Sequence, residues 1–217
     1  MTEYDLEATP GLPGQLPPGE RIVWQGKPDA RVLARAAFHV RLVAGYFTLL
    51  AAVALASALA NGVAGPADLI GVAGTLAAGA LGVALLRLLA WASARSTIYT
   101  LTDRRLVLRI GIAVPKCINL PLGAIEAVDL AVRGDGSGDL PLRLNGTPKL
   151  GYLTLWPHAR AWAVVAPQPM LRAVPQAASV AALIARTCLA ANPNGRIATV
   201  EDDAPAVAAH FTQALAA

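Results

Sequence analysis

The residues able to do chemistry are few in this chain, and they are spread out. Cys117 and Cys188 stand far apart, with no CxxC pair and no ligand cluster around either. That spacing supports neither a disulfide framework nor a zinc site. Both read as small apolar residues suited to a reducing compartment. The three histidines, His39, His158 and His210, are scattered too. No phosphate-binding glycine loop, zinc-protease helix or nucleophile elbow occurs. Gly134-Asp-Gly-Ser-Gly-Asp139 has alternate glycines but no helix start after it, so it reads as a turn. Two loop carboxylates, Asp135 and Asp139, do not make a calcium site. His39 borders a long apolar run, where an imidazole could ligate the magnesium of a chlorophyll-type ring. Arg35, one helical turn earlier, crowds the space such a ring needs. His39 therefore reads as an interfacial residue meeting headgroups. The expectation is no enzyme, no cofactor and no metal.

The setting of these residues is unusually apolar. Of 217 residues, 55% are apolar and 15% charged, against roughly 25% charged in soluble domains. Mean hydropathy is +0.51. A soluble globule of this size could not bury so much apolar surface, so lipid must be part of the solvent. A disordered chain, a coiled coil and an ordinary soluble enzyme are excluded. The net charge of +4 is modest, and no nucleic-acid partner is expected. The acidic start, Met1 to Asp5, lacks the basic region of a secretory leader, so no cleaved signal peptide is expected.

Two apolar runs must cross the lipid. No charged side chain occurs from Leu42 to Ala67, and Leu42–Ala60 is nearly all apolar. About 20 helical residues cross a hydrocarbon core of about 30 Å. Asn61-Gly62 and Gly65-Pro66 break the helix, and Asp68 marks an aqueous turn. The second run, Leu69–Leu86, continues past Arg87 and Trp91 to Arg95. Arg87 can snorkel, and Trp91 suits the interface. The pattern predicts a hairpin of two transmembrane helices over 42–94. Arg21, Lys27, Arg31, Arg35 and Arg41 precede it, Arg87, Arg95, Arg104 and Arg105 lie in or after its second arm, and its turn has no basic residue. Both termini are therefore expected in the cytoplasm. Small residues recur every four positions in the second arm. Gly71, Thr75 and Gly79 form one row, and Gly74, Ala78 and Gly82 another. Such rows let helices approach closely. They serve packing on the first arm or docking to another membrane protein, and they permit a homodimer.

The flanks position this hairpin. Residues 1–19 form a Pro/Gly-rich arm, extended and polyproline-like over 8–19. Residues 20–41 hold a short strand, Glu20–Pro28, and a basic juxtamembrane segment with Arg31, Arg35 and Arg41 among Val32, Leu33, Phe38 and Val40. That segment suits an interfacial helix or an extension of the first span, attracted by anionic lipid. Residues 95–192 read as an α+β domain. Strands are expected at 96–102 and 105–110, a hairpin around Asp103-Arg104, then at 118–120, 125–132, 152–156 and 162–165. Pro167, Pro169 and Pro175 argue against strand or helix interiors between them. Ala178, Ala181, Ile184 and Cys188 mark a helix over 175–191, with a third span as the other reading. Residues 193–217 read as a loosely ordered tail.

Two sets of residues resemble known families. Glu20-Arg-Ile-Val-Trp-Gln-Gly-Lys-Pro28 and Tyr99-Thr-Leu-Thr-Asp-Arg-Arg-Leu106, with Gly111, resemble bacterial pleckstrin-homology-like membrane proteins. This implies an antiparallel β-barrel closed by the C-terminal helix. Pro10–Pro13, Ala37–Arg41, Arg109–Ile112, Asn119–Pro121, Leu153-Thr-Leu-Trp-Pro-His-Ala-Arg160 and Pro169–Arg172 resemble the PuhB family of purple bacteria. That resemblance implies a non-catalytic, inner-membrane factor that helps assemble the photosynthetic reaction centre and core light-harvesting complex by binding intermediates. It implies no catalytic residue. Trp24, Phe38, His39, Arg41, Trp156, His158 and Arg160 are the candidate contact or organising residues. Trp24 and Trp156 have a second reading as core fillers. Reaction-centre or core-antenna subunits and anionic lipid are the expected partners. The alternative function is a general pleckstrin-homology-like membrane protein that binds lipid or itself.

Overall fold

β-Branched, leucine and aromatic residues on either side of the apolar runs fold into strands that find one another across them. Residues 11–60, 65–112, 114–145, 151–160, 163 and 167–191 are described here, in a computed structural model of the chain. β1 (Ile22–Gly26) pairs antiparallel with β2 (Ile98–Thr102), β2 with β3 (Arg105–Ile110), and β3 with β4 (Lys116–Pro121). The helical hairpin is thus a long insertion between neighbouring strands β1 and β2. Two compact units result, one of residues 30–95 and one built from the chain on both sides of it.

The second sheet centres on β7 (Gly138–Leu144). One edge pairs with β5 (Ile125–Val128) and β6 (Ala131–Val132), the other with β8 (Met170–Val174). β7 was not among the expected strands; 134–139 read as a turn, and Pro141 is a residue that central strands disfavour. The structure accommodates it at a break. The Pro141 carbonyl accepts from the Asp129 amide at 2.9 Å. Its ring nitrogen, on the same side, therefore faces the gap between β5 and β6, where no ladder partner is needed. β8 was also not expected, since prolines bracket it. Ala173 within it takes φ 51, and its amide donates to Asp139 Oδ1 at 2.8 Å.

Among the described residues the expected closed barrel is not seen. The two sheets are separate, and β4 does not pair with β5. Pro121 ends β4, a 3-10 turn over Leu122–Ala124 follows, and the chain enters the second sheet. The terminal helix α5 (Ala177–Ala191) packs against that turn, β5, β6, β7 and β8. It is a covering helix and not a third span. Leu101, Leu106, Leu108, Leu140, Leu171 and Ile184 meet in the core between sheets and helix. Cys188 joins them, and burial pushes its thiol up to about 11, as expected of a small apolar residue. Residues 152–156, expected as a strand, begin instead with a short helix α4 (Tyr152–Leu155). Most of 162–165, and the tail from 192, lie outside the described residues.

The inserted unit has three helices: α1 (Ala30–Ala36), α2 (Val40–Ala60) and α3 (Pro66–Ser96). α1 is separate from α2, because His39 takes φ 50 between them. α3 starts with proline at its first position, and Asp68 Oδ2 accepts from the Gly65 amide at 3.0 Å. This is one half of a capping box. At 1.5 Å per residue, α2 is about 32 Å long and α3 about 46 Å. Both are long and apolar enough to cross a membrane, and only 6% of either apolar window is buried. Of the small-residue rows, Gly79 meets α2: a methyl there would lie 2.6 Å from Phe47 Cβ. Methyls at Gly71, Gly74 and Gly82 would meet nothing. Thr75 bonds the Gly71 carbonyl at 2.9 Å within its own helix, and Ala78 is exposed.

The proline-rich arm is bent where it is described. Leu12 is buried, Gly11 and Gly19 have positive φ, and the Glu20 amide bonds back to the Pro17 carbonyl at 3.1 Å. An extended polyproline form does not hold over 11–19, because burying Leu12 requires the chain to turn.

Candidate functional site

Two groups of residues organise the strand domain, and each is built from pieces distant in sequence. The first ties β1 to the β2–β3 hairpin. The Arg21 amide donates to Asp103 Oδ1 at 3.0 Å, and the Asp103 amide returns a bond to the Arg21 carbonyl at 3.1 Å. Glu20 is buried and forked by Arg105. Burial alone would push its carboxyl up. The bonds from Arg105 and Thr102 and the Arg105 charge outweigh that, and the carboxyl lies below its ordinary value. Trp24 packs on the core, and its ring lies so close over Gly26 that any side chain there would fall on it. This is the physical content of the Glu-x-x-x-Trp-x-Gly spacing. Trp24 is a core filler.

The second group is buried around His158. Its Nδ1 is 2.8 Å from the Tyr99 hydroxyl and its Nε2 3.1 Å from Thr97 Oγ1. The Tyr99 hydroxyl also accepts from the Arg172 amide at 3.0 Å. The hydroxyl proton of Tyr99 has Nδ1 as its acceptor, and in that tautomer Nε2–H donates to Thr97 Oγ1. Every ring nitrogen is then satisfied in a neutral imidazole. Burial pushes the His158 pKa down to about 3, and the Arg172 charge adds to the shift. Burial likewise pushes the Tyr99 phenol up. A neutral histidine with both nitrogens engaged is an anchor and not an acid or base. Thr97, just before β2, and Tyr99 within it are two apart in extended chain and share a face. That alternation was readable, but the partner across the domain was not.

The anchor sits beneath a surface loop. Leu155 and His158 point inward and are fully buried, while Leu153 is 88% exposed and Trp156 48%. The His158 carbonyl accepts from the Met170 amide at 2.8 Å, and Ala159 bridges to Pro169. Arg160 is exposed, 3.2 Å from Asp129 and 3.0 Å from Gln168 Oε1. Asp129 also pairs with Arg143 at 3.1 Å. The loop is therefore pinned from below and at its far end, and it holds two large apolar side chains outward. Leu153 was missed because the segment read as a strand.

The seven candidate contacts thus divide. Phe38 and His158 are buried, and Trp24 is half-buried against the core, so these three organise the fold. His39, Arg41, Trp156 and Arg160 are at the surface. His39 closes the start of α2, its carbonyl accepting from the amides of Leu42 and Val43. Among the described residues, no three His, Cys, Asp or Glu side chains gather as a metal site would need.

The chain matches the family model described as Bacterial PH domain over residues 39–187. The match takes in both long helices and most of the strand domain, and leaves β1 outside. A protein of Rhodobacter capsulatus is 39% identical over 189 residues, covering 87% of this chain and 88% of the relative. It is described as an uncharacterized 23.7 kDa protein in the region 5′ of puhA. No solved structure matches. By the extent of both matches, and in keeping with its resemblance to PuhB proteins, the chain belongs to the bacterial PH domain family.

Proposed function

We propose that this chain is a non-catalytic assembly factor for the photosynthetic reaction centre and core light-harvesting complex of a purple bacterium. In this reading α2 and α3 cross the inner membrane, with both termini in the cytoplasm. The strand domain receives cytoplasmic parts of nascent reaction-centre or antenna subunits. The observation that carries the reading is the relative encoded beside puhA, alike over nearly its whole length. The exposed pair Leu153 and Trp156, in and just after α4 and beside the anchor His158, supports it as an apolar contact. Aromatic anchors on rigid elements bind partners at low entropic cost. The factor acts by differential affinity: it holds intermediates more tightly than the finished complex, and so releases it.

The test is the near-infrared absorbance spectrum of membranes from a strain lacking the gene. Loss of the reaction-centre and core-antenna bands, with their transcripts unchanged, is the expected result. An unchanged spectrum under several growth conditions would count against the role.

A further inference from the structure

Within the helical unit, α1, α2 and α3 enclose an open cleft of about 690 Å3. Arg31 and Arg35 of α1, Arg41 of α2, and Arg87 and Trp91 of α3 line it, and its remaining lining residues are small and apolar. Among the described residues, no acidic side chain lines it. Arg31 and Arg35 are one turn apart and share a face of α1. The Arg95 guanidinium stands 5.6 Å from the Trp91 ring.

Helix lengths set the depth of this cleft. From Arg41 to the end of α2 is about 28 Å, and from Asp68 to Arg87 of α3 also about 28 Å, close to the thickness of a hydrocarbon core. Arg41 and Arg87 therefore reach the same headgroup layer. Trp91, one turn beyond, takes the depth that interfacial tryptophans prefer. A guanidinium is a flat fork that matches phosphate oxygens in pairs. Basic pockets between membrane helices on the cytoplasmic side suit headgroups with more than one phosphate. The cleft is within the size range of small-ligand sites, about 300–1,000 Å3, and exceeds what one phosphate needs.

We propose that this cleft binds the phosphates of an anionic phospholipid headgroup, with preference for a lipid carrying two phosphates. The proposal rests on the reading that α2 and α3 cross a bilayer, and it adds a specific lipid to it. The bound headgroup would fasten α1 to the membrane surface and fix how deep the hairpin sits.

The full chain in uncharged detergent is titrated with cardiolipin, phosphatidylglycerol, phosphatidylcholine or inorganic pyrophosphate, and binding is read by native mass spectrometry and thermal melting. Cardiolipin is expected to bind at least tenfold more tightly than phosphatidylcholine. R35Q/R87Q is expected to lose that preference, while R104Q/R186Q, with the same charge removed elsewhere, keeps it. If the glutamine variant does not fold, R35K/R87K keeps the charge but not the fork, and should weaken cardiolipin at least threefold. Equal binding of all three lipids, or equal loss in both glutamine variants, overturns the proposal. Displacement of cardiolipin by pyrophosphate at matched concentration overturns the lipid assignment in favour of free phosphate. Carbonate washing of membranes separates the two readings. A chain that stays in the membrane without lipid preference defeats the cleft alone, whereas a chain that washes off defeats membrane crossing as well.

Discussion

Arg105 holds Glu20 with both arms of its guanidinium, Nε donating to Oε1 at 2.8 Å and Nη2 to Oε2 at 3.1 Å. One residue precedes the helical hairpin and the other follows it. The pair therefore fixes β1 to a sheet whose other strands are made only after both long helices. The Glu20 side chain is 2% exposed and that of Arg105 26%. The pair thus lies between the exposed limit, worth about 0–1 kcal/mol, and the buried one, where losing a partner costs about 3–5 kcal/mol. Glu20→Ala should cost about 2 kcal/mol, a fall of roughly 4–8 °C in Tm for a chain of this size. Thermal melting of the full chain in detergent checks it. An unchanged Tm would mean that β1 is held by its ladder alone.

His158 gives the domain a pH dependence of definite sign. Its folded pKa is depressed to about 3, against about 6.5 in an unfolded chain. Above pH 6.5 both states are neutral, and the His158 contribution is complete. As pH falls below that, the unfolded chain takes up a proton the folded chain refuses. Stability then drops by about 1.4 kcal/mol per pH unit, roughly 2 kcal/mol by pH 5. Glu20, with its carboxyl held low, adds a loss only in the carboxylate range further down. His158→Gln should flatten the slope between pH 6.5 and 5, and cost about 1–3 kcal/mol at neutral pH by leaving Tyr99 or Thr97 poorly paired. Denaturation at several pH values decides. A slope that survives the substitution belongs to another group.

What the sequence disclosed tracks how local each signal is. The charge-free runs from Leu42 and from Leu69 announce the two long helices. Asp103-Arg104 between alternating apolar residues announces the β2–β3 hairpin, and Ala181, Ile184 and Cys188 announce α5. Pro141 hid β7, because its tolerance depends on a gap in the neighbouring strand at Asp129. Pro169 and Pro175 hid β8 in the same way. Sheet closure was beyond reach, since it depends on whether β4 meets β5. For the candidate site, residue types were readable but roles were not. His158 read as a contact or an organising residue, and only its position beside Thr97, Tyr99 and Arg172 favours the second.

The two small-residue rows of α3 have different neighbours, so substitution should separate them. Gly79 lies against Phe47, and a methyl there would already stand 2.6 Å from Phe47 Cβ. Gly79→Val must push α2 and α3 apart or twist Phe47 from its rotamer, at about 1–3 kcal/mol. Gly74→Val adds bulk where nothing stands within 4 Å, and should leave the stability of the isolated chain within about 0.5 kcal/mol of the parent. Melting of both variants in the same detergent tests the contrast. Equal damage from the two would mean that the helices meet along a different face.

Leu153 and Trp156 are the side chains on which partner capture should depend. They are exposed, while Leu155 and His158 beside them are fully buried, so the surface can be altered without touching the anchor. Replacing both with serine removes apolar contact area but leaves the bonds of His158 to Tyr99 and Thr97 in place. Tm should therefore change by less than about 0.5 kcal/mol equivalent. Recovery of reaction-centre or antenna subunits with the tagged chain should fall at least tenfold, about 1.4 kcal/mol, as expected when an apolar anchor is lost. Crosslinked pull-down from photosynthetically grown cells measures this directly. Undiminished recovery with a folded variant would move the contact elsewhere on the chain, and Arg160, ion-paired to Asp129 at the far end of the same loop, would be the next residue to change.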